Sequence, residues 1–223
     1  RDMKAPQAVV LFLHGSGDTG AGARQALEFL ADGHFMREMG RHGVQVLTPT
    51  ANRIPYSLLR GQPSTVWFNR HDLDPSSPED TPSVEAAASK LAAALDDAHA
   101  SLRVPPERVV VGGFSMGGGM ALQLGVREAH RNLAGIFAMS SFLNDASPLY
   151  AHPALPRSPP IRMWHGGADQ MIRAAWGRRT AERLRETGAK DVTFSELPGV
   201  HHVMTDAEVV ELTEWVCERL GIQ

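Results

Sequence analysis

The chain has 223 residues, 43% hydrophobic and 21% charged, with 22 Lys and Arg against 25 Asp and Glu for a formal charge of −3. That composition is of an ordinary globular protein long enough to bury its own core, and it predicts one domain over residues 1–223. It excludes the basic stripe of a nucleic-acid binder, Arg178-Arg179 reading as a solvated helix face, and no apolar run approaches the roughly 18 to 20 residues of a membrane span. The start of the chain lacks the charged-then-apolar layout of a secretory signal, and the lone Cys217 has no partner for an internal disulfide. A cytoplasmic location with at most transient membrane contact is therefore expected. The sequence opens on Arg1 rather than Met, which leaves room for a trimmed N-terminus carrying a lipidation site.

In chain order, the first predicted strand is the apolar run Ala8–Leu13, followed by His14-Gly15-Ser16-Gly17. This loop is similar to the H-G-G-G loop whose backbone supplies an oxyanion donor in esterases, and the donor falls on the N–H of Ser16. The same stretch, Gly15 to Gly20, spells the G-x-G-x-x-G of a dinucleotide site. Asp18 would set a negative charge inside the pyrophosphate cradle, and the next strand, Val44–Leu47, ends in Thr48-Pro49 without a ribose-binding acid. No cofactor is expected. A long Pro-rich connection runs from Thr48 to Pro82, then an alanine-rich helix over Val84–Leu102 and a strand over Arg108–Gly113.

Gly113-Phe114-Ser115-Met116-Gly117 then matches G-x-S-x-G between that strand and a helix predicted over Met116–His130. Glycines two residues either side suit a strained strand-to-helix turn that lifts the serine Oγ out of the sheet. At the helix N-terminus the N–H of Met116 is placed to donate to an oxyanion. The strand Gly135–Met139, a second long connection from Ser141 to Pro160, the strand Ile161–Trp164, the helix Ala174–Thr187, the strand Val192–Leu197 and the helix Asp206–Leu220 complete the chain. Thr205 and Glu208 read as a reciprocal capping box for the last helix.

Alternating strands and helices predict a single α/β-hydrolase domain: a mainly parallel sheet flanked by helices on both faces, with no separate cap domain. Both long connections leave the carboxyl edge of the sheet and are expected to wall the site.

Ser115 needs an imidazole to take its proton and a carboxylate to orient that imidazole, in the chain order Ser, acid, His. Asp169, in Trp164-His165-Gly166-Gly167-Ala168-Asp169, follows the penultimate strand through a glycine turn and is preferred over Asp145. The base falls on His201 or His202, which spacing alone does not separate. Adjacent histidines seldom converge on one ion and no H-E-x-x-H set exists, so no metal is expected.

These motifs, with Val66-Trp67-Phe68 and Gly199-Val200-His201-His202, make the chain resemble the acyl-protein thioesterase and lysophospholipase family nearly end to end. Ser16, Met116 and the run Phe137–Asn144 most resemble its lysophospholipase-like branch. The resemblance implies Ser115, Asp169 and His202 as the triad, and the Ser16 and Met116 N–H groups as the oxyanion hole. It further implies a cytosolic enzyme removing acyl groups from small esters, lysophospholipids or S-acylated proteins, with a shallow pocket for short chains. Leu58, Trp67, Phe68 and Phe142 are the expected substrate contacts. One departure is Asn69, where the family commonly has Asp after Trp-Phe. It motivates the rival reading of a non-catalytic binding protein on the same fold.

Overall fold

The structure, a computed structural model, describes residues 6–222. Two strands open the chain, β1 (Ala8–Leu13) and β2 (Val44–Leu47), then a hairpin, β3 (Arg53–Tyr56) and β4 (Gln62–Thr65), then β5 (Val109–Phe114), β6 (Gly135–Met139), β7 (Ile161–Gly166) and β8 (Val192–Leu197). Six of them form one sheet in the order β2-β1-β5-β6-β7-β8, every neighbouring pair parallel. Parallel neighbours need crossover connections, and the helices α1 (Gly20–Phe29), α2 (His34–Arg41), α3 (Thr81–Leu102), α4 (Met116–Gly125) and α5 (Ala174–Glu186) lie in them, while α6 (Asp206–Leu220) follows the last strand.

Side-chain alternation along the strands divides the interior in two. Ala8, Val10 and Phe12 join Val110, Phe137, Met139 and Trp164 beneath α1, α2 and α6. Val9, Leu11 and Leu13 join Val109, Val111, Ile136 and Met163 beneath α3, α4 and α5. Large side chains here such as Phe137 and Trp164 are 0% and 1% exposed, and full burial stabilises by roughly 1.5–3 kcal/mol apiece. With both faces covered, the central strands β1, β5 and β6 read as unbroken apolar runs.

Strand order reverses between β1 and β5, so the crevice at the carboxyl ends of these two strands is where such a sheet receives a ligand. The loop carrying Ser16 leaves β1 there, and Ser115 leaves β5 there, with Leu13 paired to Gly113.

The elements differ from the sequence reading in identifiable places. Short, glycine-bearing α1 and α2 were absent from the predicted helices. The Thr48 to Pro82 connection holds the β3–β4 hairpin, whose Pro55 and Pro63 face each other where neither N–H is needed. α4 stops at Gly125 instead of His130, because buried His130 turns back and its Nδ1–H donates to the Leu124 carbonyl at 2.8 Å. Of the expected Thr205–Glu208 box only one half closes: the Glu208 N–H donates to Thr205 Oγ1 at 3.3 Å, and both Glu208 carboxylate oxygens are buried without a partner. No helix among the described residues is long and apolar enough to cross a membrane.

Candidate active site

Ser115 sits between β5 and α4 at φ 54° and ψ −122°, a conformation that costs on the order of 1–3 kcal/mol and persists only where its surroundings enforce it. They do. The Ser115 N–H donates to the Met139 carbonyl at 2.8 Å, and the flanking glycines press against β1. A Cβ on Gly113 would lie 2.3 Å from the Leu13 carbonyl oxygen, and one on Gly117 2.0 Å from the same atom. Only glycine fits either position.

His202, in the loop between β8 and α6, turns its ring toward this serine, with Nε2 3.0 Å from Ser115 Oγ. Its Nδ1 lies 2.6 Å from Asp169 Oδ2, so Nδ1 carries the proton and Nε2 presents a lone pair to the serine hydroxyl. Neighbouring His201 is exposed and is not brought to Ser115. Asp169 is 5% exposed, and its other oxygen accepts from the N–H groups of Met171 at 2.9 Å and Ile172 at 2.8 Å. Asp145 instead pairs with Arg179 at 2.6 Å on the surface.

A further histidine, His165, which precedes Asp169 in the chain and so falls outside the order Ser, acid, His, abuts the carboxylate. His165 Nε2–H donates to the Ile172 carbonyl at 2.8 Å and lies 3.5 Å from Asp169 Oδ2. Burial lowers its pKa, which keeps it neutral, and α5 presses on it through Gly177.

The loop after β1 is held as firmly. His14 Nδ1–H donates to its neighbour's carbonyl, Gly15 O, at 2.7 Å, and Nε2 accepts from the Ala51 N–H at 3.0 Å. Both ring nitrogens are used by the neutral form, and burial lowers the His14 pKa accordingly. Trp67 lies against this ring with centroids 4.9 Å apart, and its Nε1–H donates to the His14 carbonyl at 2.8 Å. Beyond it, the N–H groups of Ser16 and Met116 donate to no backbone or side-chain acceptor among the described residues. Two free N–H groups flanking a serine can receive a developing oxyanion. Asp18 stands over the first turn of α1, where a Cβ on Gly22 would meet its Oδ1 at 2.1 Å.

Ser16, Ser115 and Met116 open onto a cavity of about 250 Å3. The β3–β4 hairpin contributes Tyr56, Leu58 and Leu59 to its wall, the segment after β4 contributes Arg70 and Leu73, the turn after β6 contributes Ser140, Ser141 and Phe142, and the Asp169 turn contributes Met171 and Ile172. Of the four expected substrate contacts, Leu58 and Phe142 line the cavity. Trp67 and Phe68 do not; they are 8% and 3% exposed and pack in the core behind it, Trp67 steadying the His14 loop. The sequence could not separate these pairs, since all four are apolar side chains in loops. Asn69 is structural: its Oδ1 accepts from the Ser57 N–H and its Nδ2 donates to Asp80 Oδ2, each at 2.9 Å, tying the hairpin turn to the start of α3.

Residues 2–218 match the phospholipase/carboxylesterase family. The chain is 33% identical over 215 residues to lysophospholipase-like protein 1 of Mus musculus, covering 96% of this chain and 87% of that protein. It is 31% identical over 220 residues to acyl-protein thioesterase 1 of Neurospora crassa, again covering 96% and 87%. The crystal structure of Zea mays acyl-protein thioesterase 2 superposes with a TM-score of 0.82 at 30% identity, covering 99% of this chain and 97% of that one. The family match and the superposition both run nearly the whole length of the chain. The chain thus belongs to the phospholipase/carboxylesterase family and is a hydrolase built on the α/β-hydrolase fold.

Proposed function

We propose that the protein hydrolyses carboxylic esters and thioesters through an acyl-enzyme on Ser115, with His202 as general base and Asp169 as the acid that orients it. The observation that carries this reading is the unbroken hydrogen-bonded chain from Ser115 Oγ through His202 to Asp169, at 3.0 Å and 2.6 Å, at the mouth of a cavity. In the first half-reaction Oγ attacks the acyl carbon and its proton passes to His202 Nε2. The Ser16 and Met116 N–H groups receive the oxyanion, and the tetrahedral adduct collapses as the imidazolium protonates the departing alcohol or thiol. In the second, His202 takes a proton from water, the hydroxide attacks the acyl-serine, and Ser115 leaves with that proton.

The substrates of this reading are small esters, lysophospholipids or S-acylated proteins with short acyl chains. A cavity of about 250 Å3 lies below the usual range of roughly 300–1,000 Å3 for drug-sized ligands, which favours short chains over a palmitoyl group. The names of the thioesterase and lysophospholipase-like relatives support the substrate class. A cytoplasmic location accords with the free thiol of Cys217. The test is a fluorophosphonate probe together with an activated short-chain ester. Wild type should be labelled and turn the ester over, and Ser115→Ala should do neither. Folded wild-type protein that is not labelled would overturn the reading.

A further inference from the structure

Arg70 is the least conventional residue in the cavity wall. It is 6% exposed, yet it makes no ion pair and donates no hydrogen bond among the described residues, and its Nη1 is fully buried without a partner. Buried polar groups are nearly always satisfied, and a buried cation without a partner is costlier than any other. The nearest acid does not supply one. Glu79 draws Arg70 only through space, and its carboxylate accepts instead from Gln123 Nε2 at 3.0 Å. Desolvation lowers the guanidinium pKa to about 10, which still leaves it charged at neutral pH.

Arg70 is held by contact with two aromatic rings. Its Cζ lies 4.1 Å from the centroid of the Phe142 ring and 5.3 Å from that of Phe68. Cation–π contact of this kind involves none of the N–H groups in a hydrogen bond, and those groups, which in arginine can grip a carboxylate or phosphate in a two-pronged pair, have no protein acceptor among the described residues. Ser140 adds a second unsatisfied group in the same wall, a buried Oγ without a partner on a residue held at φ 47°. Tyr56 lines the same cavity.

From this geometry we infer that Arg70, in a cavity wall that also holds Ser140, is a specificity site for an anionic oxygen group, a carboxylate or phosphate, carried on the ester that Ser115 attacks. The inference deepens the hydrolase reading and rests on it. It also gives a reason for short chains that volume alone does not. A long alkyl chain pushed into this cavity would remove the last solvent from an unpaired cation, whereas a short acyl or alcohol portion ending in an anion would pair it.

Matched substrate pairs test this. In the first pair the acyl group carries the anion: the nitrophenyl half-ester of glutaric acid is compared with nitrophenyl pentanoate. In the second the alcohol carries it: butyryl glycerol phosphate is compared with butyryl glycerol. Wild type should prefer the anionic member of at least one pair by about tenfold or more in kcat/KM, the gain lying mainly in KM, since a charge-assisted pair is made already in the ground-state complex. The pair that shows it identifies the source of the anion. Arg70→Met should bring the ratio close to one, and Arg70→Lys should restore part of it. Should Arg70→Met fail to fold, glutarate titrated into Ser115→Ala gives the same answer without that variant, because it should bind where the neutral diamide of the same acid does not, and the binding should weaken with added salt. Turnover of the neutral esters with no anion preference in either pair and no glutarate binding would overturn the Arg70 inference alone. Absence of any turnover would instead count against the hydrolase reading, and the glutarate titration would still decide for or against Arg70.

Discussion

Asp169 is anchored on both oxygens, one by two backbone N–H groups and the other by His202 Nδ1. Those contacts fix which imidazole tautomer faces Ser115, so an amide in place of the carboxylate should alter the chemistry more than the fold. Asp169→Asn can present an N–H to His202 and reverse the tautomer. The expected outcome is a fall in kcat of about 10³ to 10⁴-fold with little change in KM, measured on a short-chain ester alongside a thermal melt. A fall confined to KM would assign Asp169 to substrate binding instead. At this scale the sequence was informative about Ser115 and Asp169, because each lies in a glycine-marked turn after a strand and the chemistry requires that residue type. It was silent on Arg70, on the packing of His165 against Asp169 and on the exclusion of Trp67 and Phe68 from the cavity. Those depend on side chains from distant segments, such as Arg70 with Phe142 and His165 with Ile172 and Gly177.

Among the elements, α6 carries the clearest pH signature. Burial raises the Glu208 pKa from the ordinary 4.5 to about 7, and the Glu211 charge adds to the shift. The folded chain therefore holds a proton that the unfolded chain releases. The stability linked to this group is fully present below about pH 4.5 and is lost as pH rises through about 7. Glu208→Gln keeps the shape without the charge, so it should raise stability at pH 8 by on the order of 2–3 kcal/mol and have little effect near pH 4.5. Urea melts at the two pH values check this, and an equal effect at both would show that titration is not the cause. The helix itself was legible, since Thr205 announces its start and an apolar stripe sustains it. The unclosed half of its cap was not, because the side-chain geometry at Glu208 is set by packing against the rest of the fold and not by the four-residue pattern.

For the molecule as a whole, the six-stranded sheet lies between two apolar layers that share its strands, so neither layer persists without the other. Unfolding should accordingly be a single cooperative transition over the whole chain, with tryptophan fluorescence and far-ultraviolet circular dichroism giving the same midpoint in denaturant. Separate midpoints would divide the chain into more than the one domain expected. The sequence by itself determined the sheet strands to within a few residues, the alternation that makes neighbouring strands parallel, the strand-to-helix turn at Ser115 and the candidates for base and acid. Each of these follows from local periodicity, from glycine's steric freedom or from the chemistry of one residue type. Tertiary structure decided which of two adjacent histidines faces Ser115, how the β3–β4 hairpin and the segment after it wall the cavity, and that Arg70 is buried there without a partner. Such features are set by the convergence of segments far apart in the chain, where burial and hydrogen-bond geometry choose among side chains that local pattern treats alike.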